Sequence, residues 1–514
     1  MRDEPGLLRR PATTAVAIAA GVVATVLAYS PVRVPGLGLV MLAPLAFVLD
    51  GVRPRRAFAL AWLYSAAFAL WLVRWVIHAL IVEYQVAALP AWTFTAIVVF
   101  GFALVPATAA AVYAAVRPRL RDAAAPLAFA AIWTLSEWLR GSLLATPWLL
   151  AAQTVTRWPL AIQAADLGGQ YAVSFVLLAV GGGIGIALRR QSGFALLAPL
   201  AIAALWLGYG AARLATLTPG DVPRLRVGIV QASVPQAERF QPGSAARNIA
   251  RHEAATRTLA AAPLDLVVWS ETAVDIDLDR TPALREQLER LASAIGVPIV
   301  TGAPRSQGGR RSNAVVLFAP GRGLVESYDK QRLVPFSEYD PAFGGALAAL
   351  IGPVVEGDPY LPGVEATVFR TTVIPFATPV CFEITYPDLV RRFRAAGARL
   401  LVNLSNDAWF GRVGYPEMHF DHAIYRAVEM RMPVVRGANT GISGVIDAAG
   451  RVVATIPAFE EGTLRAEVAA AGAPPLYART GDWPLVTALL LLLAATLRSG
   501  PKRERRGARR SADG

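Results

Sequence analysis

The run L-D-L-V-V-W-S-E, residues 264–271, reads as an apolar strand that ends on a carboxylate, Glu271. Segments of the same kind lie on both sides of it. Upstream, L-R-V-G-I-V-Q-A-S (225–233) is β-rich and a helical stretch covers about 244–262. Downstream come a helix near 281–295 and the strands V-P-I-V-T-G-A (297–303), N-A-V-V-L-F-A (313–319) and T-T-V-I-P-F-A-T-P-V (371–380). L-L-V-N-L-S-N (400–406) precedes a loop and a helix near 418–432, and G-V-I-D-A-A-G-R-V-V-A-T-I (444–456) reads as a hairpin around its A-A-G turn. Alternating β and α segments predict an α/β layered domain with helices covering sheet.

Outside this block the composition changes. The chain has 514 residues, 55 % hydrophobic and 17 % charged, too apolar for an ordinary soluble enzyme and long enough for more than one domain. Eight apolar spans are expected near 12–29, 35–50, 57–80, 90–116, 124–144, 171–188, 194–213 and 482–498. The net charge of +13 does not point to nucleic acid, because the arginines cluster beside these spans rather than along one face. Arg9 and Arg10, then Arg53, Arg55 and Arg56, then Arg117, Arg119 and Arg121, then Arg189 and Arg190, and finally the tail P-K-R-E-R-R-G-A-R-R all fall on one side. The positive-inside rule makes that side cytoplasmic and puts residues 214–480 outside, with both termini inside. Arg33, Arg74 and Arg157 are the exceptions. The first span is expected to be retained rather than cleaved as a signal peptide, since further spans follow it. The expected organisation is a seven-span membrane domain over 1–220, an α/β domain over 221–475, a final span over 476–500 and a basic tail over 501–514.

Three residues of the outer block stand out, two of them by scarcity. Cys381 is the chain's one cysteine, and on the outer side of a membrane a lone thiol forms no internal disulfide and is open to oxidation. Lys330 is the one lysine of the block, in a chain with 48 arginines. An ammonium can be desolvated and tuned where a guanidinium stays charged. Glu271, Lys330 and Cys381 fall at strand ends or in the loops after them, where a rigid sheet presents functional groups. Together they suggest a thiol nucleophile with a base and a cation for a developing oxyanion. Each also has a plainer reading: a buried small hydrophobe, a surface lysine, an exposed carboxylate.

Other features carry less. Glu137 and Arg140, in S-E-W-L-R-G-S (136–142), are expected to pair or to meet a lipid headgroup at the outer end of the fifth span. His78 is expected at the interface. His419 and His422, in H-F-D-H, could share a helix face but have no convincing third ligand, so no metal and no cofactor is expected. G-G-G-I-G (181–185) lies in an apolar span and reads as helix packing.

The segments W-S-E-T-A (269–273), Y-D-K-Q-R-L-V-P-F-S-E-Y (328–339), C-F-E (381–383), S-N-D-A-W-F-G (405–411), R-G-A-N-T-G-I-S-G-V-I (436–446) and Y-A-R-T-G-D-W-P (477–484) resemble bacterial apolipoprotein N-acyltransferases. So does the membrane stretch S-E-W-L-R-G-S-L-L-A-T-P-W (136–148). The ordered Glu, Lys, Cys set is shared with the wider nitrilase superfamily. The resemblance implies a multispan helical membrane domain of about eight helices carrying an extracytoplasmic nitrilase-like α-β-β-α sandwich above the bacterial inner membrane. It implies Glu271 as general base, Cys381 as nucleophile and Lys330 as the oxyanion cation. Glu338 and Glu383 match two supporting carboxylates. Phe382 stands where the family often has Tyr, and Phe240 where many members have Trp. Both keep an aromatic surface. The implied reaction is a ping-pong acyl transfer through a thioester, from a membrane phospholipid to the N-terminal diacylglyceryl-cysteine of an apolipoprotein. The apolar arm A-F-G-G-A-L-A-A-L-I-G-P-V-V (342–355) and the loop with Trp409 and Phe410 are then candidate lids or membrane-packing surfaces. Two competing readings are a membrane-tethered nitrilase-like amidase and a non-catalytic lipid scaffold. The multispan frame disfavours the first, and the complete trio disfavours the second.

Overall fold

The computed structural model describes residues 11–142, 145–217, 221–239, 241–339, 345–351, 359–412 and 414–498. Phe240, much of the 342–355 arm and the basic tail lie outside the described residues.

The helical part contains α1 (Pro11–Ala28), α2 (Pro54–Leu72), α3 (Ala88–Val116), α4 (Ala125–Ser142), α5 (Ala165–Arg190) and α6 (Phe194–Thr216). Among the described residues four helices, α1, α3, α5 and α6, are long and apolar enough to cross a membrane. A fifth candidate is α2 taken with Arg74–Glu83, a pair bent by 52°. Eight spans are expected from the sequence, and the shortfall has local causes. The stretch expected at 35–50 is broken into the short helices Leu37–Val40 and Ala43–Leu49. The C-terminal helix Trp483–Arg498 has 16 residues. In α4, Glu137 and Arg140 interrupt the apolar pattern, and both are buried. Helix α5 is kinked at Gly168 and Gly169, where Gly169 takes φ +68° and the Tyr477 ring packs 2.7 Å from where a Cβ would sit.

Ion pairs to buried aspartates brace this part at two levels. On the expected cytoplasmic side, Arg117 and Arg190 both reach Asp50, at 2.5 and 2.6 Å. On the other side, the exceptional Arg33 and Arg157 both reach the buried Asp421, at 2.7 and 3.4 Å. Groups that would be costly alone at membrane depth are thus paired.

The following part holds two sheets. The first has β1 (Arg224–Gln231), β2 (Leu266–Val268), β3 (Ile299–Gln307), β4 (Arg310–Ala319) and β5 (Gly323–Asp329), joined by β11 (Gly462–Ala469) in the order β11-β1-β2-β3-β4-β5. The second orders β6 (Phe376–Ala377), β7 (Leu400–Ser405), β8 (Val434–Ala438), β9 (Ser443–Ile446) and β10 (Val452–Ile456) as β10-β9-β8-β7-β6. In each sheet three consecutive strands run parallel, β1-β2-β3 and β6-β7-β8, with antiparallel strands beyond them. The expected strand at 371–380 shrinks to the two residues of β6, because Pro375 and Pro379 remove ladder donors on either side.

Helices α7 (Ser244–Leu259) and α8 (Pro282–Ile295) cover the first sheet, and α9 (Pro387–Ala395) and α10 (Tyr415–Met430) lie on the side of the second. The two sheets meet closely: a Cβ on Gly437 of β8 would lie 2.9 Å from Val268 of β2. One apolar core includes Val227, Val268, Val402 and Val435 of the sheets and reaches Val173 and Leu177 of α5. Every residue of α10 but Glu417 is buried, and this helix sits between the sheet part and α5. The helical and sheet parts therefore share one packed interior along α10.

Candidate active site

Each expected residue sits just past the end of a strand. Glu271 follows β2, Lys330 follows β5, and Cys381 follows β6 and the bridge from Val380 to Leu404. The chain makes room for Glu271 with Gly302 on neighbouring β3, where any Cβ would collide with the Glu271 carbonyl.

Lys330 is the centre of the arrangement. Its side chain is 1 % exposed, and Nζ donates to Glu271 Oε1 at 3.0 Å and to Glu338 Oε1 at 2.9 Å. Burial alone lowers an ammonium's proton affinity, but the two carboxylates outweigh it and hold Lys330 well above its ordinary pKa. The lysine is therefore a fixed cation.

Asn313 of β4 completes the bridge, donating from Nδ2 to Glu271 Oε1 at 2.9 Å and to Glu338 Oε1 at 2.7 Å. Glu271 Oε2 accepts from the Asn406 backbone N–H at 2.9 Å, and Glu338 Oε2 from the Val334 N–H at 2.7 Å. Both carboxylates are thus oriented by several donors at once.

Cys381 is a free thiol, 6 % exposed, and opens the short 3-10 turn Cys381–Thr385. Its φ is +50°, the left-handed region that residues with a Cβ rarely enter. Burial pushes the thiol's pKa up, Glu271 adds to the rise, and Lys330 opposes it. The resting sulfur is protonated and needs a base before it can attack.

Glu383 does not face the carboxylate–lysine bridge. It is fully buried and accepts from Val380 N–H at 2.8 Å, Gln331 N–H at 2.7 Å, Arg332 N–H at 2.9 Å and the Tyr328 hydroxyl at 2.9 Å. Burial raises its pKa, and the backbone donors pull against that rise. It ties the loop after β5 to the loop before the thiol, and so holds Lys330 and Cys381 at one separation.

Phe382 stacks on Trp148 with ring centroids 6.3 Å apart and packs edge-on against Tyr386 at 5.1 Å. Trp409 stacks on Tyr84 at 4.9 Å, while Phe410 packs on Trp75 and Tyr415. The loops around the thiol thus rest on aromatic residues from the helical part. Glu137 and Arg140 make no ion pair with each other among the described residues. Arg140 instead donates to the Trp148 carbonyl at 2.8 Å and lies 4.1 Å from the Phe102 ring centre, while Glu137 accepts from the Ala151 N–H at 2.9 Å.

Sequence reading passes over Asn313, Asn406 and a buried set behind the thiol, of which only His419 is weighed there, as a metal ligand. That set is Asp407, His419 and Arg436, with Asp407 Oδ1 3.0 Å from His419 Nδ1 and Asp407 Oδ2 3.0 Å from Arg436 Nη2. The signal available was the position of Asn406, Asp407 and Arg436 inside S-N-D-A-W-F-G and R-G-A-N-T-G-I-S-G. His422 diverges from His419 and meets Gln153 Nε2 at 3.0 Å.

Two family models match the chain: Carbon-nitrogen hydrolase over residues 226–475 and Apolipoprotein N-acyltransferase N-terminal domain over residues 20–183. The apolipoprotein N-acyltransferase of Azotobacter vinelandii is 33 % identical over 509 residues, covering 94 % of both chains. That of Geobacter metallireducens is 30 % identical over 483 residues, covering 90 % of this chain and 91 % of the relative. Among solved structures, a mutant amidase of the nitrilase superfamily from Nesterenkonia aligns over 52 % of this chain and 99 % of its own, with 18 % identity and a TM-score of 0.39. The near full-length identity to these relatives, together with matches to both the helical and the sheet part, makes the chain a member of the apolipoprotein N-acyltransferase family.

Proposed function

We propose that the protein transfers a fatty acyl group from a membrane phospholipid to the α-amine of a diacylglyceryl-cysteine at the N-terminus of an apolipoprotein. The observation that carries the mechanism is the buried Lys330 ammonium held between the Glu271 and Glu338 carboxylates, with the single protonated thiol at the end of the neighbouring sheet. A fixed cation there costs no reorganisation when an oxyanion forms.

In the first half-reaction Glu271 takes the Cys381 thiol proton, and the sulfur attacks an ester carbonyl of the lipid. Lys330 and a backbone N–H beside Phe382 stabilise the tetrahedral oxyanion. On collapse the C–O bond breaks, and the lysophospholipid leaves with the proton from Glu271. In the second half-reaction the acceptor amine attacks the thioester and gives its proton to Glu271. The C–S bond breaks, and Cys381 recovers the proton as the amide departs. Asn313, Glu338 and Glu383 orient these groups. Trp409 and Phe382 shield the acyl chain.

The same reading places eight crossings in a bacterial inner membrane. The α-β-β-α sandwich of 221–475 is then periplasmic and both termini are cytoplasmic. Both substrates are lipids that rarely leave the bilayer, so a site resting on membrane helices reaches them without extracting them.

The test follows the fate of the acyl group. Protein preloaded with labelled phospholipid is offered a synthetic diacylglyceryl-cysteine peptide. Label should appear as an N-acyl peptide faster than as free fatty acid. Label released only to water would assign the chain to amide or ester hydrolysis instead.

A further inference from the structure

Behind Cys381 lies a polar network that the proposed chemistry does not use. Cys381 holds φ +50°, a backbone state that persists only where its surroundings impose it. Its carbonyl accepts a hydrogen bond from Nε2 of His419 at 3.0 Å. A carbonyl can only accept, so the contact is a hydrogen bond when this nitrogen carries a proton.

The opposite ring nitrogen, Nδ1, lies 3.0 Å from Asp407 Oδ1 and 3.0 Å from Arg436 Nη2. Arg436 is itself fully buried and pinned. Nη1 donates to Asn403 Oδ1, Nη2 to Ser405 Oγ and Asp407 Oδ2 at 3.0 Å each, and Nε to the Ile442 carbonyl at 3.2 Å.

A guanidinium offers only donors. Two ring states satisfy the Cys381 carbonyl, each with one opposed contact. Either Nδ1 is bare, shares an Nη2 hydrogen of Arg436 with Ser405 or Asp407 and faces Asp407 Oδ1, or the ring is doubly protonated and Nδ1–H donates to Asp407 while facing Arg436 Nη2. Both keep the proton on Nε2. The third state, neutral with its proton on Nδ1, would turn a bare nitrogen toward the Cys381 carbonyl. Burial, and then Arg436, press His419 toward the neutral form. Asp407 stays ionised: burial opposes it, but Arg436 and His419 overcome that and lower its pKa.

We infer that His419 is a positioning residue that clamps the Cys381 carbonyl through Nε2–H and so aims the thiol, with Asp407 and Arg436 fixing the ring. The inference rests on Cys381 being the acylated nucleophile. The sulfur, a carboxylate oxygen of Asp407 and a ring nitrogen of His419 lie within 4.8 Å of one another, a spacing that a metal ion also accepts. Arg436 argues against an ion, because its positive charge already occupies hydrogen-bond positions on both Asp407 and His419.

The test uses the full chain in detergent with phospholipid and reads Cys381 acylation by intact mass. His419→Gln keeps an N–H that reaches about as far as Nε2; His419→Asn stops one methylene short. The Gln variant should acylate within about tenfold of wild type. The Asn variant should lose about 10²-fold in maximal rate at an unchanged half-saturating phospholipid concentration, because a misaimed nucleophile slows chemistry without weakening binding. Equal rates for the two variants overturn the inference. So does a wild-type rate that falls after chelation and returns with zinc. Absence of any wild-type thioester overturns instead the acyl-enzyme reading on which the inference rests. A second measurement needs no variant to fold well. The chain has four histidines, so ¹⁵N-histidine NMR of the wild-type protein gives few signals. A protonated Nε2 on His419 supports the clamp, and a bare Nε2 overturns it.

Discussion

At the scale of single residues, two side chains behind the proposed chemistry have little freedom to change. Lys330 is 1 % exposed between carboxylates at 3.0 and 2.9 Å, so the wider, planar guanidinium of Lys330→Arg cannot replace it without displacing Glu271 or the oxyanion site. Loss of one preorganised oxyanion donor costs roughly 10²–10³ in rate, and thioester formation on Cys381 should slow by that much under excess phospholipid. Asn313→Ala removes the amide shared by Glu271 and Glu338. Both oxygens keep Lys330 but lose their second donor, and a hydrogen bond to a charged group contributes about 1.5–3 kcal/mol, so the acylation rate should fall by about ten- to a hundredfold with the fold intact by circular dichroism. Lys330 and Cys381 draw notice in the sequence because lysine and cysteine are scarce in the outer block, and Glu271 because it ends a strand-like run. Asn313 has no local mark, and although Asn406 lies in S-N-D-A-W-F-G and His419 in H-F-D-H, the partners of a carboxamide or imidazole lie across the fold and cannot be read from those motifs.

At the scale of elements, most strands followed from apolar runs, and the failures have backbone causes. The 371–380 run is apolar enough for a full strand, yet its prolines leave only β6. β5 went unread because Glu326 and Ser327 interrupt it, although it delivers Lys330 to the site. On α7, His252 is fully buried against Trp269, with Nδ1 2.9 Å from the Asn248 carbonyl, and burial depresses its pKa to about 4. The neutral imidazole contributes its full stability above the unfolded value of 6.5, and that contribution drains away as pH falls from 6.5 toward about 4. The loss is about 3 kcal/mol by the usual conversion, and His252→Leu should flatten the unfolding midpoint across that pH range. Asp421 on α10 answers for Arg33 and Arg157, two exceptions to the one-sided arginine pattern. Asp421→Asn leaves both arginines short of a counter-charge. Their partial exposure keeps the cost to about 1–3 kcal/mol, readable as a lower thermal midpoint in detergent.

At the scale of the whole molecule, the arginine clusters bear on the proposed topology, in which the site stands outside a membrane and the basic loops stay inside. A reporter fused after Gly220 should read periplasmic, and one at the C-terminus cytoplasmic. Readings from the same side would break the eight-span topology and leave the catalytic reading to stand on its own. An α/β layered domain could be read from the alternating β and α segments, but the shared interior along α10 could not, since only the folded chain shows every residue of that helix but Glu417 buried. The central claim is that Cys381 carries the acyl group, and the most direct measurement is the intact mass of purified protein after incubation with a phospholipid of known acyl chains. One added fatty acyl mass is expected, mapped to Cys381, labile to hydroxylamine, discharged by a diacylglyceryl-cysteine peptide and missing from Cys381→Ala. An unshifted mass in a preparation that still N-acylates the peptide would contradict that claim, because transfer would then proceed without a thioester.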